Sequence, residues 1–190
     1  SSDAGDEEKY QQEKVYEALK AADSQMNWAL FIDDTFIDPY ILKSWIYQFV
    51  DSERSEGGDD AEKYAGKYFP KHLWEENIVL LEKALNVNDE KLKPEHEGNI
   101  HLNMGNNYFL LLNYPRALRS YRLAEKFKRN FGTDIEKALF HFHMGYTLWQ
   151  NGEIRNARNE IKKAYEIYNS HAVISGTEKI KLLSFPAGVV

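Results

Sequence analysis

His101-Leu102-Asn103-Met104-Gly105 returns forty residues later as His141-Phe142-His143-Met144-Gly145. At the same step Ala117 meets Ala157, Tyr121 meets Ile161, and Ala124 meets Ala164. One step toward the N-terminus, Gly105 falls on Ala65, Tyr108 on Tyr68, Tyr121 on Leu81 and Ala124 on Ala84. Self-similarity at a fixed period marks stacked supersecondary units, each too small to bury its apolar face alone. Three units are therefore expected, at 58–97, 98–137 and 138–177. Another step back gives Gln25, Trp28, Ile37, Ile41 and Ser44, where the small positions are lost. The repeat is expected to stop before residue 58.

The punctuation around these units is helical. Pro94 and Pro115 each open a helix, Gly132 closes one, and Thr133-Asp134-Ile135-Glu136 has the capping-box spacing that starts the next. Asn151-Gly152 reads as a turn before a helix over about 153–169, and a further helix spans Leu73–Leu85. Upstream, Val15, Leu19, Ala22, Met26, Ala29 and Leu30 recur at three- and four-residue spacing, as an amphipathic helix requires. Asp38-Pro39 reads as the N-cap and first residue of a second helix, which ends in the polar, Gly-containing stretch 51–60. No stretch alternates with a strand period. The expected class is all-α, with an acidic disordered leader over 1–9, a helical pair over 10–57, the repeats over 58–177, and a capping helix with a tail over 178–190. The cap is signalled by Ser175-Gly176-Thr177-Glu178 and stopped by Pro186.

His101-x₂-Met104-Gly105-x₂-Tyr108 followed by Ala117-x₃-Tyr121 resembles the tetratricopeptide repeat family, whose pattern is W-x₂-L-G-x₂-Y then A-x₃-F. His141-x₂-Met144-Gly145-x₂-Leu148 and Ala157-x₃-Ile161 resemble it again. His stands where the family has its first aromatic residue, the closing Pro is absent, and the period is about six residues longer than the usual 34. The resemblance implies a right-handed solenoid of helical hairpins whose first helices line a concave groove. Carried over, the groove positions are Asn99, Asn103, Asn106 and Leu110 in one unit, and Leu139, Phe142, His143, Tyr146 and Gln150 in the next. It further implies a non-enzymatic module that binds a peptide or helix of another protein. Alternatives are a self-associating subunit whose groove is filled by its own chain or a second copy, and a holder of a small apolar ligand. The family's carboxylate clamp needs Lys at the position of Leu102 and is not matched.

Composition narrows the chemistry. The 190 residues carry a net charge of −6, are 43% hydrophobic and contain no cysteine, so disulfides, thiolate metal sites and cysteine nucleophiles are excluded. Residues 1–60 hold 15 Asp/Glu against 5 Lys/Arg, a charge asymmetry that suggests separate roles for two segments. Basic residues Arg116, Arg119, Arg122, Lys126 and Arg129 form a stripe that reads as a solvated helix face or a dock for the acidic half. Aromatic residues do not interleave with it as base stacking requires, so nucleic acid is not an expected partner. Apolar runs such as Phe109-Leu110-Leu111-Leu112 fall far short of the roughly 18 residues a membrane span needs. No signal peptide is recognisable, and the setting is left open between cytoplasm and bacterial periplasm. His141 and His143 are two apart, so on a helix they diverge by about 200° and cannot chelate together. No catalytic, nucleotide or metal motif is present, and neither a cofactor nor a metal is expected.

Overall fold

The computed structural model describes residues 2–56, 58–71, 73–87, 92–127 and 133–170, and among these every regular element is an α-helix. The expected capping helix near 178–183 lies outside them. Eight helices follow in order: α1 (Ser2–Ile32), α2 (Ile37–Glu56), α3 (Gly58–Tyr68), α4 (Leu73–Leu85), α5 (Pro94–Leu110), α6 (Tyr114–Lys126), α7 (Asp134–Gln150) and α8 (Ile154–Ser170). None is long and apolar enough to cross a membrane.

Most boundaries sit where the capping chemistry puts them. The Asn113 side chain accepts from the backbone N–H of Arg116 at the start of α6, where Pro115 occupies the first turn. Thr133 and Glu136 form the full capping box of α7. Two boundaries differ from expectation. The α1 helix begins at Ser2, within the stretch read as a leader. The α2 helix begins at Ile37, which leaves Asp38 in its first turn rather than at its cap; Pro39 is tolerated because first-turn N–H groups have no intrahelical acceptor.

The last four helices form two closely packed pairs, α5 with α6 and α7 with α8. At each pair a glycine admits the partner. A Cβ on Gly105 would come within 2.6 Å of the fully buried Tyr121 ring, and one on Gly145 within 2.6 Å of Ile161. The turns that join them are also the same. Leu111, Leu112 and Asn113 donate to Asn107, Phe109 and Tyr108 carbonyls, and Asn151, Gly152 and Glu153 repeat this on Thr147, Trp149 and Leu148. The middle residue is left-handed in both turns, at φ 56° for Leu112 and 80° for Gly152.

The first unit is built otherwise than 58–97 suggests. The α4 helix packs on α2 and α5, whereas α3 packs on α1 and α2. Leu81 and Ala84 belong to the main core with Ile37, Tyr40 and Ile41 of α2, while Ala65 lies in a separate cluster with Tyr16, Tyr47, Val50, Phe69 and Leu73. The residue set against α4 is Ser44, fully buried, whose carbonyl accepts from Asn77 Nδ2 at 3.1 Å. Asn77 holds the position of Ala117 and Ala157, and Ser44-x₂-Tyr47 matches Gly105-x₂-Tyr108. So α2 packs on α4 as α5 packs on α6, and α3 lies between α2 and α4 in the chain.

The α1 helix is tied to α2 by a buried charge. Asp23, 2% exposed, accepts from Lys43 Nζ at 2.6 Å, and Lys43 also donates to Asn27 Oδ1 and lies over the Tyr47 ring. Burial alone would raise the Asp23 pKa, but hydrogen bonds from Lys43 and Lys20 outweigh it and hold the carboxyl below its ordinary range. Among the residues of α1 whose burial is described, Tyr16 and Asp23 are buried, while Val15 is exposed.

Candidate functional site

Three helices share one open face. Asp38 of α2 lies 3.6 Å from His96 of α5, and further along the same helices Asn106 Nδ2 donates to Gln48 Oε1 at 3.4 Å. Phe109 of α5 stacks on His143 of α7, with ring centroids 4.7 Å apart. These contacts set α2, α5 and α7 side by side, with α2 and α5 running in one direction. Between them lies a cavity of about 190 Å³. Trp45 and Gln48 wall it from α2, Leu102, Asn103 and Asn106 from α5, and Glu136, Leu139 and His143 from α7.

Polar groups around this cavity are mostly spoken for. Tyr121 Oη reaches through the helix pair to donate to Asn106 Oδ1 at 3.0 Å, so Asn106 is held from both sides. Burial pushes the Tyr121 phenol well above its ordinary pKa, which keeps it a donor. Gln48 is held in turn by donating to Ser44 Oγ. Asn103 differs. Its residue is 3% exposed, yet its Nδ2 has no hydrogen-bond partner among the described residues. A buried amide donor left unpaired costs about 1–3 kcal/mol, which a ligand acceptor would recover.

The nine positions read from sequence divide into three groups. Asn103, Asn106, Leu139 and His143 come together around the cavity. Tyr146 and Phe142 are half-buried in aromatic contacts of the chain itself: Tyr146 packs against Phe109, Tyr114 and Trp149, and Phe142 against His143. Gln150 is exposed and donates to the Tyr146 hydroxyl, while Asn99 and Leu110 are half-buried on α5, outside the cavity wall. Thus the aromatic end is filled by side chains of its own fold, and the open part of the face lies nearer the starts of α5 and α7.

Sequence reasoning missed the α2 wall. Trp45 and Phe49 are 46% and 45% exposed, and with Leu42 they form an apolar stripe at the positions equivalent to Asn103, Asn106 and Leu110. The signal was Ser44-x₂-Tyr47, hidden because it stands 61 residues before Gly105-x₂-Tyr108 rather than at a multiple of forty.

The histidines at the repeated position serve packing. His101 stacks on Phe127, while His141 Nδ1 lies 2.7 Å from Glu160 Oε2. The basic stripe of α6 is engaged locally, with Arg122 paired to Glu153 in the turn before α8 and Arg116 over the Tyr108 ring. Compared with known proteins, the chain matches no protein-family model, no curated protein sequence and no solved structure.

Proposed function

We propose that the chain is a solenoid of tetratricopeptide-like helical pairs (α2/α4, α5/α6 and α7/α8) that works as a protein-interaction module. A peptide segment of the partner lies across α2, α5 and α7. The observation that carries this reading is the buried, unpaired amide of Asn103 beside an open cavity walled by the exposed Trp45 ring. A peptide carbonyl can accept from that amide, and an indole at an interface supplies large contact area at small entropic cost. Fixed amides at Asn106 and Gln48 offer further backbone contacts without having to be ordered on binding.

Selection of displayed random peptides against the immobilised protein tests the reading. A common sequence family should enrich, and its binding should weaken about 5- to 150-fold on Asn103→Leu, as loss of a hydrogen bond worth about 1–3 kcal/mol requires. Asn103→Leu should keep the wild-type melting temperature, since it removes an unsatisfied group. Failure of any family to enrich, or equal binding to Asn103→Leu and Trp45→Ala, would overturn it.

A further inference from the structure

We infer that the cavity between α2, α5 and α7 selects a cationic side chain, so that the partner presents an Arg- or Lys-containing segment; this rests on the peptide-binding reading above. The first turns of the three helices carry Asp38, Glu95, Glu97, Asp134 and Glu136. Acidic first turns alone reflect the helix dipole. What separates this set from that background is where Glu136 sits and what surrounds it. Glu136 is on the cavity wall, where Oε2 accepts from the Thr133 N–H at 3.0 Å, and among the described residues no cation pairs with it. Its neighbour Asp134, by contrast, is paired with Lys137 at 2.7 Å.

On the α2 wall the Trp45 indole is half exposed and stacks on no other ring among the described residues. An indole face and a carboxylate that no cation pairs with among the described residues, on one small cavity, suit a guanidinium or ammonium group, which is drawn by the ring quadrupole and by the charge together. A neutral apolar side chain would leave Glu136 facing it without gain. An anionic one would be repelled. The unpaired Asn103 Nδ2 then has the carbonyl of the same or an adjacent partner residue as its acceptor. At long range, residues 1–60 carry ten more acidic than basic side chains, which speeds the approach of a basic segment.

The test uses positional-scanning nonapeptide pools, each with one fixed residue (Arg, Lys, Leu, Phe or Glu) at the centre, in fluorescence anisotropy against the full chain. Arg and Lys pools should bind most tightly and lose most of their advantage between about 0.05 and 0.5 M salt. Glu136→Gln keeps the capping box, because Gln serves at that position, and removes only the charge. It should weaken the Arg and Lys pools about 5- to 10-fold while leaving the Leu and Phe pools unchanged, the scale of a cation held by one carboxylate. If Leu, Phe or Glu pools bind best, or Glu136→Gln weakens no pool, the charge selection is wrong while the groove still binds peptide. If no pool binds more tightly than it does to Asn103→Leu and Trp45→Ala, the peptide-binding reading falls and takes this inference with it.

Discussion

Leu112 and Gly152 hold the same place in two copies of one turn, and only one of them suits the backbone. A non-glycine residue in the left-handed region costs about 1–2 kcal/mol, and Leu112, 68% exposed, recovers little of it by burial. Leu112→Gly should therefore raise stability by about 0.5–1 kcal/mol after the extra chain entropy of glycine is subtracted, seen as a higher melting temperature. A fall would mean that Leu112 makes a contact that outweighs the strain. His101 sets a second residue-scale expectation. Burial lowers its pKa, with the Arg119 charge adding to the effect, so the folded protein holds it neutral. As pH falls below about 6.5 the unfolded chain takes up this proton first, and stability drops. Above that pH the contribution is fully present. His101→Phe, which keeps a ring against Phe127, should flatten the decline in melting temperature between about pH 6.5 and 5. Asp23 and Glu160 act lower on the scale. Both have depressed pKa values, because hydrogen bonds from Lys43 and Lys20, and from His141 and Lys163, outweigh burial; their contribution is lost as pH falls below about 4. An unchanged slope in His101→Phe between pH 6.5 and 5 would assign the acid sensitivity to other groups.

At the scale of helices, the pairing of α4 with α2 rests on a small polar junction. Asn77, fully buried, donates to the Ser44 carbonyl and to Asn107 Oδ1, and Asn107 Nδ2 donates to the carbonyl of Asn103. Asn77→Ala should cost about 1–3 kcal/mol, because it leaves buried acceptors on α2 and α5 without a donor. In a double-mutant cycle with Asn107→Ala, a coupling of about 1 kcal/mol is expected, and additive losses would show that the bond joins nothing. This junction also shows where the sequence stops being readable. Helices α5 to α8 announce themselves through Pro94, Pro115, Thr133 and Gly152, each acting on residues within a turn of itself. Four of the nine groove positions reach the cavity for the same reason, being fixed by local helix phase. Ser44 and Asn77 meet across 33 residues, and no local pattern encodes that encounter. Ala65 imitates the repeated small position while it serves the packing of α3, fully buried in the cluster that also holds Tyr16 and Tyr47. Because Ser44-x₂-Tyr47 stands off the forty-residue step, Trp45 is not aligned with Asn106 and the α2 wall goes unseen.

Across the whole molecule, α2 belongs to both hydrophobic clusters, giving Ile37, Tyr40 and Ile41 to the larger and Tyr47 and Val50 to the smaller. The α4 helix does the same, with Leu73 in the smaller and Leu81 and Ala84 in the larger, so the two packing systems meet along the α2/α4 pair, and the α2 wall of the cavity is the other side of α2. The intervening α3 bears on the order in which these parts assemble. Residues 57–72 separate α2 from α4, whereas 111–113 and 151–153 are all that separate the helices of the other two pairs. Closing the longer connection costs about 1.5 kcal/mol more in chain entropy, before any contact between α2 and α4 repays it. Contacts close in sequence form sooner than distant ones. In pulse-labelled refolding, amides of α5 to α8 should gain protection before those of α2 and α4, and protection of all six in a single phase would overturn this order. A nascent or refolding chain would then complete the α5 and α7 walls while α2 is still unplaced. The cavity would be the last feature to exist, closed in time by the element that the longer connection delays.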